Sequence, residues 1–280
     1  MNYLPHFNGK VQEIRAMGYD FLGSLLELTD NSARKNIQSK NISVILHKDD
    51  DNRLSRVSVI DDGLGMNMNS LCTAFIFNLL KEREEGDIGK FHVGMKYAAI
   101  VIGSDITILS KSPGSSVVGL WANIETMKAL DTFTPTEVCD DVSDSWALRH
   151  VHPADYAKFK GSSSGTIISI TNMTPMCRAV YSKVSDELKK SLPNSYVSLY
   201  NGCLLHLYSN EELLLTVKPN NLFYVGEEEL LDEPAYSTVL SVYRDSLGNE
   251  RLIEMNLERI KAKNFEKMQT EIPLDVTSKG

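Results

Sequence analysis

Glu27-Leu28-Thr29-Asp30-Asn31, Asp61-Asp62-Gly63-Leu64-Gly65-Met66 and Gly89-Lys90-Phe91-His92-Val93-Gly94-Met95-Lys96 are three short motifs whose joint reading decides the fold. The first lies inside a segment with a helical apolar period, Phe21, Leu22, Leu25, Leu26 and Leu28 crowding one broad face. Glu27 and Asn31 are four residues apart, so both point the same way one turn along that helix. The second motif directly follows the β-branched run Arg56-Val57-Ser58-Val59-Ile60, and the third is glycine-rich and opens an apolar helix. Together they supply a carboxylate and an amide on one helix, an aspartate before a glycine turn, and a glycine-rich turn ending in lysine.

Each part suits one task in holding a nucleotide. Mg2+ requires oxygen ligands in octahedral geometry, and the Asn31 carbonyl is such a donor. Glu27, one turn away, is placed to take a proton from water. Asp61 can accept a hydrogen bond from an exocyclic amine, with Gly63 and Gly65 letting the backbone pass close to a base. Backbone N–H groups at the start of a helix attract phosphate, to which Lys96 or Lys90 adds a point charge. Taken singly the motifs are ordinary: a polar pair at i, i+4 is common on helix surfaces and Asp-Asp-Gly is a plain turn signal. Gly89–Lys96 lacks the Gly-Lys-Ser/Thr ending of a P-loop, and no strand precedes Gly89 as a dinucleotide fingerprint demands.

The chain around these motifs reads as alternating α and β elements. Residues 1–12, with Pro5 and Asn8-Gly9, suggest a loose arm or an edge strand, and a helical pattern runs from about Gln12 to Lys40. Ile42–Leu46 and Arg56–Ile60 form an antiparallel hairpin about the polar cluster Asp49–Asn52. A helix follows over Leu71–Leu80. The charge run Lys81–Asp87 is either a solvated loop or a mobile lid. Gly94–Gly103 is helical, and strands over Ser104–Ser110 and Ser116–Glu125 flank a Pro113-Gly114-Ser115 turn. Residues 126–160 are polar and irregular and give no role. Gly161–Gly165 leads into a strand at Thr166–Ile170. Beyond a boundary near Asn172–Pro175 come a helix over Tyr181–Leu192 and strands at Tyr196–Tyr200, Leu204–Tyr208 and Leu213–Val217.

Composition narrows the class. The 280 residues are 42% hydrophobic and 24% charged, the profile of a globular protein with room for one large core or two modest domains. A net charge of −8 argues against tight DNA binding by the chain alone, leaving room only for a local basic patch. Cys72, Cys139, Cys177 and Cys203 are far apart, without zinc-ligand spacing, and read as thiols in a reducing compartment. The N-terminus lacks a signal-peptide pattern and no apolar run spans a bilayer, so an intracellular protein, cytoplasmic or nuclear and without a membrane partner, is expected.

In order and spacing the motifs resemble the GHKL superfamily, the gyrase B, Hsp90, histidine-kinase and MutL type of ATPase. Glu27-x-x-x-Asn31, Asp61-x-Gly63-x-Gly65-Met66 and Gly89-x-x-x-x-Gly94 match its three boxes, and Gly165-Thr166 resembles its late Gly-Thr element. The likeness covers about residues 12–172 and is nearest to the MORC-like branch. It implies an α/β fold of the Bergerat type: a two-layer α/β sandwich with a mixed, mainly antiparallel sheet over residues 1–174. A smaller transducer-like domain over 175–280, possibly incomplete, would follow. It also implies ATP and Mg2+ as cofactors, with Glu27 as general base, Asn31 as metal ligand, Asp61 as adenine reader with Thr166 nearby, and Gly89 to Lys96 as the phosphate loop under a lid over residues 78–93. An ATP-dependent homodimer and a DNA, chromatin or defence role are further implications. Two positions depart from the pattern: His92 stands where relatives commonly carry glycine, and Arg34 where they often carry Asp. They raise a second reading, a nucleotide-gated interaction module with little turnover. A sensor kinase is disfavoured, because no phosphoacceptor helix precedes the first motif.

Overall fold

The computed structural model describes residues 6–33, 37–75, 94–179, 181–196 and 203–218 in full, and the backbone of 236–244 and 250–257. In chain order the elements are α1 (Phe7–Ala16), α2 (Phe21–Ser32), β1 (Asn41–Lys48), β2 (Leu54–Asp61), α3 (Met68–Phe75), α4 (Gly94–Ile102), β3 (Gly103–Lys111), β4 (Val118–Asn123) and α5 (Ile124–Ala129). They continue with β5 (Glu137–Cys139), α6 (Asp144–His150), α7 (Pro153–Gly161), β6 (Gly165–Met173), α8 (Tyr181–Ser195), β7 (Leu204–Ser209), β8 (Glu212–Val217), β9 (Tyr236–Arg244) and β10 (Glu250–Leu257).

Eight strands form one mixed sheet in the order β5-β4-β3-β6-β2-β1-β7-β8. Each neighbouring pair is antiparallel except β1 with β7, where Ile42 to Leu46 run alongside Leu205 to Ser209. The α/β class with a mixed, mainly antiparallel sheet is therefore present. The expected break at residue 174 falls inside this compact unit, which extends to Asn220 because β7 and β8 continue the same sheet. The second unit, Asn221–Gly280, contains the antiparallel pair β9 and β10.

Strand alternation sends two side-chain sets to opposite faces. Ile42, Val44, Leu46, Val57, Val59, Ile106, Ile108, Ile168 and Ile170 face a large core shared with α1, α2, α3, α4, α5 and α8. Ile45, Ile60, Leu109 and Ile167 face the other way, onto Trp146, Ala147, Tyr156 and Phe159 of α6 and α7. The two-layer expectation needs correcting here. Both faces of the sheet carry apolar residues, so α6 and α7 cover the second face as a short third layer. The stretch that gave no role supplies it: Ser143 caps α6 by accepting from the Trp146 N–H at 3.2 Å, and Pro153 opens α7. His150 is sandwiched between Trp121 and Trp146, with ring centroids 4.7 Å from each.

Three further expectations change. Residues 7–16 are neither arm nor edge strand but a helix that buries Phe7, Val11 and Ile14, even though it includes Asn8-Gly9. Its cap is supplied from a distance: the Phe7 N–H donates to Asp131 Oδ1 at 2.7 Å, and His6 Nδ1 lies 2.6 Å from Asp131 Oδ2. The single helical run to Lys40 is divided at Gly18, whose φ is +80°, and restarts at Asp20, which accepts from the Gly23 N–H at 2.6 Å. Tyr196, expected to open a strand, instead closes the turn after α8: its N–H donates to the Leu192 carbonyl at 2.9 Å.

Phe159 is fully buried in the third layer. Phe159→Ala is expected to cost about 3–5 kcal/mol, read as a lower urea midpoint. A loss under about 1 kcal/mol would mean that α7 is not packed against the sheet.

Candidate nucleotide-binding site

The site grows from the carboxyl end of β2 and the last turns of α2. Leu25, Leu28, Thr29 and Ser32 are buried, which anchors α2 on the large core and leaves Glu27 and Asn31 half-buried along its flank. Asn31 donates its amide nitrogen to the Glu27 carbonyl at 2.6 Å, so its side-chain oxygen is the atom left to face a cation. The Glu27 carboxylate lies against Gly94, the first residue of α4. A Cβ on Gly94 would meet Glu27 Oε2, so a larger residue there would displace the carboxylate from this seat. A carboxylate at a helix N-terminus is favoured by the unpaired N–H groups and dipole there, and an arriving phosphate would compete for the same field.

Asp61 is the best-anchored group of the site. It is 6% exposed at the end of β2, and its side chain points to the helical face like Val57 and Val59. Ser32 donates its hydroxyl to Oδ2 at 2.9 Å, and the Gly63 N–H donates to Oδ1 at 3.0 Å. Its partner across the sheet is Thr166, second residue of β6. The Thr166 hydroxyl is 2.8 Å from Ser110 Oγ, which also accepts from the Met66 N–H at 2.8 Å. Asp61, Ser32, Thr166, Ser110 and the Met66 backbone thus form one polar patch on an otherwise apolar face. Burial pushes the Asp61 carboxyl up to about 6, against the opposing pull of the Ser32, Gly63 and Thr166 hydrogen bonds. Adjacent Asp62 has a different task, accepting from the Lys40 and Asn41 N–H groups at 2.7 and 2.9 Å to hold the start of β1.

The glycines after Asp61 serve chain packing. Gly65 has φ +66°, and a Cβ there would collide with the Lys111 carbonyl; one at Gly63 would meet Ile37 and Ser39. Glycine is therefore required at both positions by the packing of the chain itself. Lys96 lies in the first turn of α4 and is 3% exposed, its ammonium pushed down to about 8 by burial. Met95 and Met66 are partly buried against the large core. Gly89, Lys90, Phe91, His92 and Val93, the lid over 78–93 and Arg34 lie outside the described residues.

Of the expected residues, the structure joins Glu27 to Gly94 directly and Asp61 to Thr166 across the strand pair, and α2 links the two groups through Asn31 and Ser32. Ser32 and Ser110 belong to none of the roles that the motifs imply. Ser32 was legible as the residue next to Asn31, whereas Ser110 is revealed only by the pairing of β3 with β6.

Residues 19–142 match the model of the histidine kinase-, DNA gyrase B- and HSP90-like ATPase family. That match supports a GHKL-type ATPase domain. Glu27, Asn31, Asp61, Gly94 and Lys96 fall within the matched span, and Thr166 lies beyond it. No curated relative matches the chain significantly. Among the described residues no helix is long and apolar enough to cross a membrane.

The Asp61 carboxyl is raised from 3.8 to about 6, so the native state holds its proton more tightly than the unfolded chain does. Below pH 3.8 both states are protonated. Between 3.8 and 6 stability drains as pH rises, and above 6 the loss is complete. Asp61→Asn keeps the shape and removes the buried charge. The variant is expected to be more stable than the parent at pH 7.5, by about 2–3 kcal/mol at most, with the gain shrinking toward pH 4.5. Urea midpoints at the two pH values check this; a gain independent of pH, or a loss at pH 7.5, would contradict it.

Proposed function

We propose that this chain binds ATP with Mg2+ and hydrolyses it slowly, and that occupancy of the site gates homodimerisation. The observation that carries the reading is the Asp61 patch. A buried carboxylate held by Ser32 and Gly63 at the end of a core strand supports the reading that Asp61 accepts a hydrogen bond from a base. Thr166 beside it offers a hydroxyl to the same ligand edge. The family match to residues 19–142 supports the nucleotide as ATP.

The residues divide the work as follows. Asn31 offers a neutral oxygen to Mg2+, which when bound neutralises phosphate charge and orients the leaving group. Glu27 accepts a proton from the attacking water. Its present seat against the N-terminus of α4 means that it must yield that position as a phosphate arrives. Lys96, whose ammonium is lowered to about 8 by burial, holds its proton more tightly beside an anion and so favours the loaded state over the empty one. The phosphate loop in this reading comprises Gly89, Lys90, Phe91, His92 and Val93, leading to Gly94, Met95 and Lys96. Closure of the segment before it would present a dimer surface only when nucleotide is bound, which makes ATP the ligand that selects the dimer. The likeness of the motifs to the MORC-like branch and to MutL suggests work on DNA or chromatin, or in defence against foreign DNA. With a net charge of −8, any nucleic-acid contact falls to a local basic patch or a partner.

Glu27→Ala is expected to lower Mg2+-dependent phosphate release at least about 100-fold while leaving nucleotide affinity within a few-fold. A non-hydrolysable ATP analogue is expected to double the mass seen in sedimentation for parent and variant alike. Binding with no turnover in either protein would favour the gated module without catalysis. A monomer under saturating analogue would remove the dimer gate.

A further inference from the structure

A second cluster of ligating groups lies on the opposite face of the sheet from Asp61. His47 is on β1, at a position that points to the α7 side, and is 5% exposed. Asp155, in the first turn of α7, is 1% exposed, and His152 is the residue that caps α7. One ligand atom from each lies within 4.8 Å of the other two. His47 Nε2 stands 2.8 Å from Asp155 Oδ2, and His152 Nδ1 stands 4.0 Å from Asp155 Oδ1.

Three features distinguish this cluster from an ordinary buried ion pair. The first is His152: its Nδ1 is buried without a hydrogen-bond partner, and its side chain makes no cap bond to the helix it opens. A buried ring nitrogen left unpaired is costly unless a ligand uses it. The second is the orientation of His47. Its Nδ1 lies 3.1 Å from Asn210 Oδ1, so that the ring can donate there and turn the Nε2 lone pair toward the carboxylate. Metal-ligating histidines are commonly oriented in this way, with the second nitrogen donating to a carbonyl. Third, Asp155 and Asn210 line a cavity of about 340 Å³ together with Lys158, Tyr208 and Glu211, so the carboxylate side of the cluster borders open space.

We propose that His47 Nε2, His152 Nδ1 and an Asp155 oxygen form a binding site for a divalent transition metal of the zinc type. Two imidazoles and one carboxylate with an open position suit zinc, or ferrous iron, far better than Mg2+. Ligand atoms around a tetrahedral ion stand roughly 3.3–3.5 Å apart, given metal–ligand distances of roughly 2.0–2.2 Å. The observed separations of 2.8 Å and 4.0 Å to the Asp155 carboxylate bracket that spacing. His47 and Asp155 sit on regular elements, β1 and α7, and His152 immediately precedes α7. The site is separate from the proposed Mg2+ position at Asn31 and does not depend on nucleotide.

The test is Zn2+ titration of the full chain by calorimetry, with Co2+ as an optical probe. One Zn2+ per chain is expected, with the visible bands of tetrahedral Co2+ and no thiolate charge-transfer band. Zn2+ should also raise the urea midpoint. His152→Ala, at a half-exposed position that folding tolerates, should weaken binding at least tenfold and abolish the midpoint shift. Asn210→Ala, which frees the His47 ring, should weaken it less. Absence of Zn2+ binding, or binding unchanged in both variants, would overturn the proposal and leave His47 and Asp155 as a structural ion pair. A thiolate band would equally overturn it, by placing the metal on the cysteines.

Discussion

A carboxylate buried at the end of a core strand is the constraint around which the first unit is arranged. Asp61 keeps its ionisable group out of water only because three elements converge on it: α2 sends Ser32, the following turn sends the Gly63 N–H, and β6 lies alongside with Thr166. Those partners need α2 packed across the sheet and β6 inserted between β2 and β3. The close turn needs Gly65, because the Lys111 carbonyl occupies the place of any side chain there. Sheet order, helix placement and local glycines thus answer one electrostatic demand.

Both faces of the same sheet are covered. One carries the large core, the α2–α4 contact and the Asp61 patch. The other carries α6 and α7, an aromatic stack around His150 and the His47–Asp155 pair. Strand alternation separates the two: along β1, Val44 and Leu46 serve the first face while Ile45 and His47 serve the second. An ion held at His152 and a nucleotide held at Asp61 would therefore be linked only through the strands between them.

Much of the first site was legible in the sequence because its residues lie in short local motifs. Glu27 and Asn31 are one helical turn apart, and Asp61 ends an unmistakable strand. What was hidden is non-local. α1 has no cap of its own and borrows Asp131 from far along the chain, so Asn8-Gly9 dominated the local signal. Helices of seven to nine residues, such as α6 and α7, are too short to display a clear period and are held by packing against Ile45, Ile60 and Ile167. The glycines of the second motif stand out in the sequence, but their neighbours do not: Lys111 and Ile37 reach them only through tertiary pairing. His47 and the pair His152 and Asp155 are too distant in sequence for any ligand spacing to join them.

The most direct test of the account is the relative affinity of the chain for ATP and inosine triphosphate, measured by competition at pH 7.5. Inosine replaces the exocyclic amine with a carbonyl, which would set an acceptor against the Asp61 carboxylate while leaving sugar and phosphates unchanged. Selection for ATP by about 100-fold or more is predicted, as expected when a buried polar group loses its partner. Equal affinities would contradict the account, because Asp61 would then be buried for a reason other than reading the base.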